Sequence, residues 1–154
     1  MGEKDSRLVF FDVDGVLSVP CYLGYGIGMP EKEWVQYCVD KGTETYKDCK
    51  VLSGVIDSIN YFKRCGSKLF VLTAVGSSYE ANAKRVFVKE KYGDVFEEFI
   101  AVGSSKQKAE MIKCVSKKYN VEIDSCLMID DDFNLLLEMK EQGINVLHVT
   151  NILV

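Results

Sequence analysis

The chain has 154 residues, 47% hydrophobic, 27% charged and 11% aromatic, enough apolar material for one domain with a buried core. Nineteen Lys and Arg against 23 Asp and Glu give a formal charge of −4, which excludes the broad basic field of a non-specific nucleic-acid binder. The composition is too apolar for a disordered chain, and no apolar run approaches the ~20 residues that span a bilayer.

The first predicted element is a strand. Residues 8–11 (LVFF) are apolar throughout and stop at Asp12-Val13-Asp14-Gly15, the pattern of a central strand buried on both faces. Segment 18–50 then breaks the rhythm. It holds both prolines (Pro20 and Pro30), three glycines (Gly24, Gly26 and Gly28) and a short amphipathic piece over 31–38. About thirty residues is long for a loop and short for a domain, so it predicts a small flap insertion. Its aromatics Tyr22, Tyr25, Trp34 and Tyr37 suit either stacking on a base or holding the flap down on the domain.

Apolar periodicity predicts a helix over 51–65, stopped by Gly66. A second strand follows at 68–73 (KLFVLT), then a helix over 78–92 capped by Ser77 or Ser78. Strands at 99–102, 126–129 and 145–149 alternate with helices over about 105–119 and 133–142. The order implies an α/β fold: one doubly wound, Rossmann-like domain over 1–154 with a five-stranded, mostly parallel sheet.

The six cysteines form no C-x-x-C pair and the one histidine, His148, stands far from most of them, so zinc spacing is absent. Cys65, Cys114 and Cys126 fall in periodic apolar segments and are expected as reduced core thiols. Cys21, Cys38 and Cys49 share the irregular segment, where a pair could oxidise. The polar start MGEKDSR predicts no signal peptide, and Gly2 with Ser6 matches a myristoylation pattern too short to carry weight. A cytoplasmic protein without a membrane partner is expected.

Ligands of open parallel sheets bind beyond the carboxyl ends of the strands. Those ends here carry Asp12 and Asp14, then Thr73, then Gly103-Ser104-Ser105, then Asp130 and Asp131. Converging carboxylates repel unless a hard divalent cation joins them, and an oxygen-only donor set favours Mg2+. The bland alternatives are a turn at Asp12–Asp14 and a helix cap in Asp130-Asp131-Asp132. Two carboxylates against a buried strand nevertheless cost desolvation unless something pairs them.

In order, FFDVDGV (10–16), LFVLTA (69–74), Lys108 in KQKAEMI and CLMIDDD (126–132) resemble the four motifs of the haloacid dehalogenase-like (HAD) phosphohydrolases. The resemblance covers the chain except 18–50. It implies that Asp12 is the nucleophile and that Asp14 protonates the leaving oxygen and later activates water. It further implies Mg2+ on Asp12, the Asp14 carbonyl and Asp130, with Asp131 acting partly through water. Thr73 and the N–H groups of Ala74 and Val75 would bind the phosphoryl oxygens, and Lys108 would pair with phosphate and Asp12. Lys106 is the competing lysine. Val16 replaces the common Thr, and Asn134 stands where some members carry Asp, removing one charge near the metal.

A two-component receiver domain combines similar groups, but its acidic pair comes first, whereas here it comes last; Asp57 falls within a helix. The remaining alternative is a catalytically silent phosphate- or ligand-binding module of the same fold. The short 73–108 interval leaves no room for a large cap, so a capless or small-flap type is expected. Its substrate would be a nucleotide, a polynucleotide end or another small phosphorylated metabolite, with the protein a monomer or weak homo-oligomer.

Overall fold

The computed structural model describes residues 7–19 and 28–152. The expectations for Gly2, Ser6, Pro20, Cys21, Tyr22, Gly24, Tyr25 and Gly26 lie outside the described residues.

Five parallel strands form the sheet: β1 (Leu8–Phe11), β2 (Lys68–Ala74), β3 (Glu98–Val102), β4 (Cys126–Asp130) and β5 (Asn145–His148), in spatial order β3-β2-β1-β4-β5. The helices are α1 (Glu31–Lys41), α2 (Ser53–Arg64), α3 (Ser78–Tyr92), α4 (Lys108–Lys118) and α5 (Phe133–Glu141). All four strand pairings are parallel, and every expected strand and helix is present, with ends shifted by a residue or two. The helix expected over 105–119 begins instead with a 3-10 turn, Ser105–Gln107.

Strand alternation builds two apolar layers. Val9 and Phe11 face α2, α3 and the insertion, packing with Val55, Ile59, Ala83, Phe87 and Tyr46. Leu8 and Phe10 face α4 and α5, packing with Ile112, Val115, Leu136 and Met139. All four β1 side chains are fully buried, so the end of this strand is held rigidly between the layers. Burying apolar surface at ~25 cal/mol per Å2 makes this packing the chief support of the fold.

The insertion leaves and returns at one point, where Val19 and Lys50 exchange backbone hydrogen bonds (Val19 N–H to the Lys50 carbonyl, 2.7 Å). It carries a full helix, α1, longer than the amphipathic piece expected over 31–38, and this helix packs on α3. Among the described residues no helix is long and apolar enough to cross a membrane.

Two cysteine expectations are corrected. Cys65 and Cys114 are exposed: Cys65 caps the polar end of α2, and Cys114 turns away from the Ile112–Val115 stripe of α4. Cys126, Cys38 and Cys49 are buried.

Candidate active site

The strand ends bring the motif residues to one edge of the sheet. Because β1 lies between β2 and β4, Asp12 and Asp14 emerge beside Thr73 on one side and Asp130 on the other. The Asp12 N–H donates to the Ile129 carbonyl (3.1 Å), prolonging the sheet by one bond before the chain turns. That turn is closed by the Val16 and Ser18 N–H groups on the Val13 carbonyl (3.1 and 2.9 Å). Gly15 sits in it at φ 80°, and a Cβ there would collide with the Asp131 carboxylate. Glycine is therefore needed both for the left-handed backbone and for the approach of the fourth motif.

Lys108 opens α4. Ser104 and Gln107 form a reciprocal capping box around the preceding 3-10 turn, which fixes where the lysine leaves the backbone. Its buried ammonium lies 3.2 Å from Asp12 Oδ1 and 2.8 Å from Asp130 Oδ2. Burial alone would lower its pKa, but Asp12 and Asp130 hold it above the ordinary lysine value. Lys106 is exposed, and its backbone N–H only serves the Ser104 cap. Of the two candidate lysines, Lys108 alone reaches the carboxylates.

Asp130 Oδ1 accepts from the N–H groups of Asp131 (2.8 Å) and Asp132 (3.0 Å). Asp132 caps α5 through the Leu135 N–H (3.1 Å), the role its position at a helix start implies. Asp12, Asp130 and Asp131 each present a carboxylate oxygen within 4.8 Å of the others. Burial is the main cause that pushes the Asp12 carboxyl up to about 7; Lys108 opposes the shift and Asp130 reinforces it. Partial desolvation and the Asp130 charge push Asp131 up to about 6. Three crowded carboxylates form a hard-oxygen donor set, which suits a small divalent cation such as Mg2+.

Of the phosphoryl-binding groups expected at the end of β2, the Val75 N–H has its hydrogen bond made within the sheet. Thr73 is fully buried, and its hydroxyl accepts from the Lys84 ammonium (2.8 Å), which leaves its own O–H proton to donate. The Val75 N–H, expected to face phosphate, donates to the Val102 carbonyl (2.8 Å) and extends the sheet. Ala74 ends β2, and its carbonyl also accepts from Lys84 (2.9 Å).

Searches by sequence match no family model and no curated protein. Comparison with solved structures does find similar folds. A haloacid dehalogenase-like family hydrolase from Streptococcus pneumoniae superposes with TM-score 0.61 at 15% identity, over 97% of this chain and 92% of that one. CbbY from Rhodobacter sphaeroides, solved with phosphate, gives TM-score 0.63 at 16% identity over 92% and 85%. This chain has the HAD-like fold. A phosphatase domain from Bacteroides fragilis, solved with Mg, also matches (TM-score 0.60, 16% identity), covering 92% of this chain and 35% of that one.

On this HAD-like scaffold one group of residues was not singled out by motif. Lys84, buried in α3, reaches Asp14 Oδ2 (3.0 Å), Glu80 Oε2 (2.8 Å), the Thr73 hydroxyl and the Ala74 carbonyl. Burial alone would depress its pKa, but Asp14 and Glu80 hold it above the ordinary value. Tyr46, from the insertion, donates to Asp14 Oδ1 (2.8 Å). Trp34 of α1 donates to Glu80 Oε1 (2.5 Å). A sequence signal for the pair existed: Glu80 and Lys84 share one helical stripe with Ala83, Phe87 and Val88, all buried. Tyr46 lies in an irregular stretch and had no such signal.

Proposed function

We infer that the chain is a Mg2+-dependent phosphomonoester hydrolase working through an aspartyl-phosphate. One observation carries the reading: Lys108 bridges Asp12 and Asp130 while a third carboxylate, Asp131, crowds the same point. A lysine between two carboxylates orients one as an attacking group, and the surplus negative charge suits a divalent cation and a phosphoryl ligand.

Asp12, Asp130, Asp131 and the Asp14 carbonyl would hold Mg2+. When bound, the ion supplies charge neutralisation that lets an anionic nucleophile approach a phosphate ester. Asp12 contributes the attacking oxygen: its bond to phosphorus forms as the ester P–O bond breaks. Asp14 in its protonated form gives that proton to the departing oxygen, leaving a carboxylate. The same carboxylate then takes a proton from water as the water oxygen attacks phosphorus, which frees Asp12 and inorganic phosphate. Lys108 holds the Asp12 carboxylate in place and offsets its charge. Thr73 supports the site by anchoring Lys84. Nucleotides, polynucleotide ends and small phosphorylated metabolites are the substrate classes this reading carries forward.

The test is a phosphatase screen over nucleotides, sugar phosphates and 3′- or 5′-phosphorylated DNA ends, with Mg2+ or with EDTA. Phosphate release that needs Mg2+, with acid-stable labelling of the protein absent in Asp12→Asn, supports the reading. Binding of phosphate without turnover of any ester refutes it in favour of a silent module.

A further inference from the structure

We propose that Tyr46 and Lys84 are positioning residues for Asp14, and that residues 28–50 of the insertion brace the acid/base through them. This rests on the function inferred above, since it assigns how one of its groups is held.

Both oxygens of the Asp14 carboxylate accept hydrogen bonds from outside the first motif, one from Tyr46 and one from Lys84. Lys84 is itself immobile. Its other partners are Thr73 and Ala74 at the end of β2 and Glu80 one turn back on α3. Asp14 is its one partner in a turn, so the rigid elements fix the turn residue and not the reverse. Glu80 is held in its turn by the Trp34 indole, and the Trp34 and Tyr46 rings meet edge to face (centroids 6.2 Å apart). Tyr46 also packs against Phe87 of α3 (centroids 5.8 Å apart). The insertion therefore touches Asp14 directly through Tyr46 and indirectly through Trp34, Glu80 and Lys84.

The braced side chain still keeps 37% exposure, against 12% for Asp12. Part of the Asp14 carboxylate is therefore open to solvent while both bonds are made. Orientation of an acid is worth most where the leaving group cannot depart unprotonated. This predicts a dependence on the leaving group, a signature that a merely structural role does not produce.

Tyr46→Phe removes the hydroxyl and keeps the buried ring, and Trp34→Phe weakens the indirect arm. The assay is kcat/KM with Mg2+ for ethyl phosphate, whose alkoxide needs a proton, and for p-nitrophenyl phosphate, whose phenolate does not. This ratio reports only steps up to leaving-group departure, so it isolates the acid role from later hydrolysis of the intermediate. In Tyr46→Phe the ethyl ester value should fall about tenfold and the nitrophenyl value less than about twofold. Trp34→Phe should show the same bias at smaller size, with thermal midpoints of both variants near wild type. Equal losses on the two esters, or none, overturn the proposal. A gain on ethyl phosphate overturns it too, since Asp14 would then be restrained rather than positioned. A wild-type protein inactive on both esters and on every substrate of the screen overturns the functional reading itself, which separates the two failures; if only a screened substrate turns over, an alkyl and an aryl ester of that substrate replace the pair.

Discussion

Replacing Asp12 by Asn should make the metal-free protein more stable and at the same time inactive. The Asp12 carboxyl is pushed from 3.8 to about 7 by burial, and its side chain is only 12% exposed, so solvent does little to relieve the charge. Between about pH 4 and pH 7 the folded state binds this proton more tightly than the unfolded chain does. Stability must therefore fall as pH rises through that window, and at pH 8 the whole deficit is present. Three pH units at 1.36 kcal/mol each set the deficit at about 4 kcal/mol. Asn carries no charge and its amide oxygen can still accept from Lys108, so most of this is recovered, about 2–4 kcal/mol. For a chain of this size that is a rise in Tm of about 5–10 °C at pH 8 in EDTA. The gap should narrow as the pH is lowered and close below pH 4. Added Mg2+ should raise the Tm of the wild type much more than that of the variant. Scanning calorimetry across pH 4–8 measures all of this. A variant less stable than wild type at pH 8 refutes the argument that Asp12 is held ionised against its environment. Turnover of p-nitrophenyl phosphate above a tenth of wild type refutes its role as nucleophile, because loss of that group should cost several kcal/mol of barrier.

Asp130→Ala should abolish Mg2+ binding by isothermal titration, while Asp132→Ala keeps the affinity and loses about 1 kcal/mol of stability with its helix cap; equal loss of affinity contradicts the assignment. Gly15→Ala should cost at least ~1–2 kcal/mol from the left-handed backbone alone and, by displacing Asp131, weaken Mg2+ binding more than tenfold. A variant with wild-type stability and affinity shows that the turn can relax.

The layers of this fold were legible because the central strands β1 and β4 are short, apolar on both faces and run into aspartate. LVFF and CLMI cannot be placed anywhere but the middle of a parallel sheet. The strand-end groups Asp12, Asp14 and Asp130 were legible for the same reason, since topology alone brings neighbouring strand ends together. What could not be read was which partner each group takes. Lys84, which reaches the Thr73 hydroxyl, looks like a surface lysine on a helix in which six of fifteen residues are charged. Val75 has a donor that only the register of β3 shows to be spent. Cys114 resembles a core thiol because its neighbours are apolar, yet one residue of rotation turns it outward. Tyr46 is invisible in sequence because its partner, Asp14, lies 32 residues away and no periodicity links the two.

The two buried lysines explain why a D-x-D turn can exist at all at this point. The Asp14 charge is one of the causes that raise the Asp12 pKa, so the two carboxylates repel across this turn. Each is met by a lysine from a different layer. Lys108 comes over the strand ends from α4, on the Leu8–Phe10 side of the sheet, and takes Asp12. Lys84 comes from α3, on the Val9–Phe11 side, and takes Asp14. Because the cations approach from opposite faces, they hold the two carboxylates apart rather than sharing one position between them. Each lysine also has a second carboxylate, Asp130 or Glu80, so neither aspartate is fully neutralised by its partner. Burying the cluster costs stability, and an apolar replacement would pack better. The arrangement makes sense only if the two aspartates must stay separate and differently placed. Under the function proposed above, Asp12 and Asp14 act at the two ends of one phosphorus–oxygen bond, and this separation allows it.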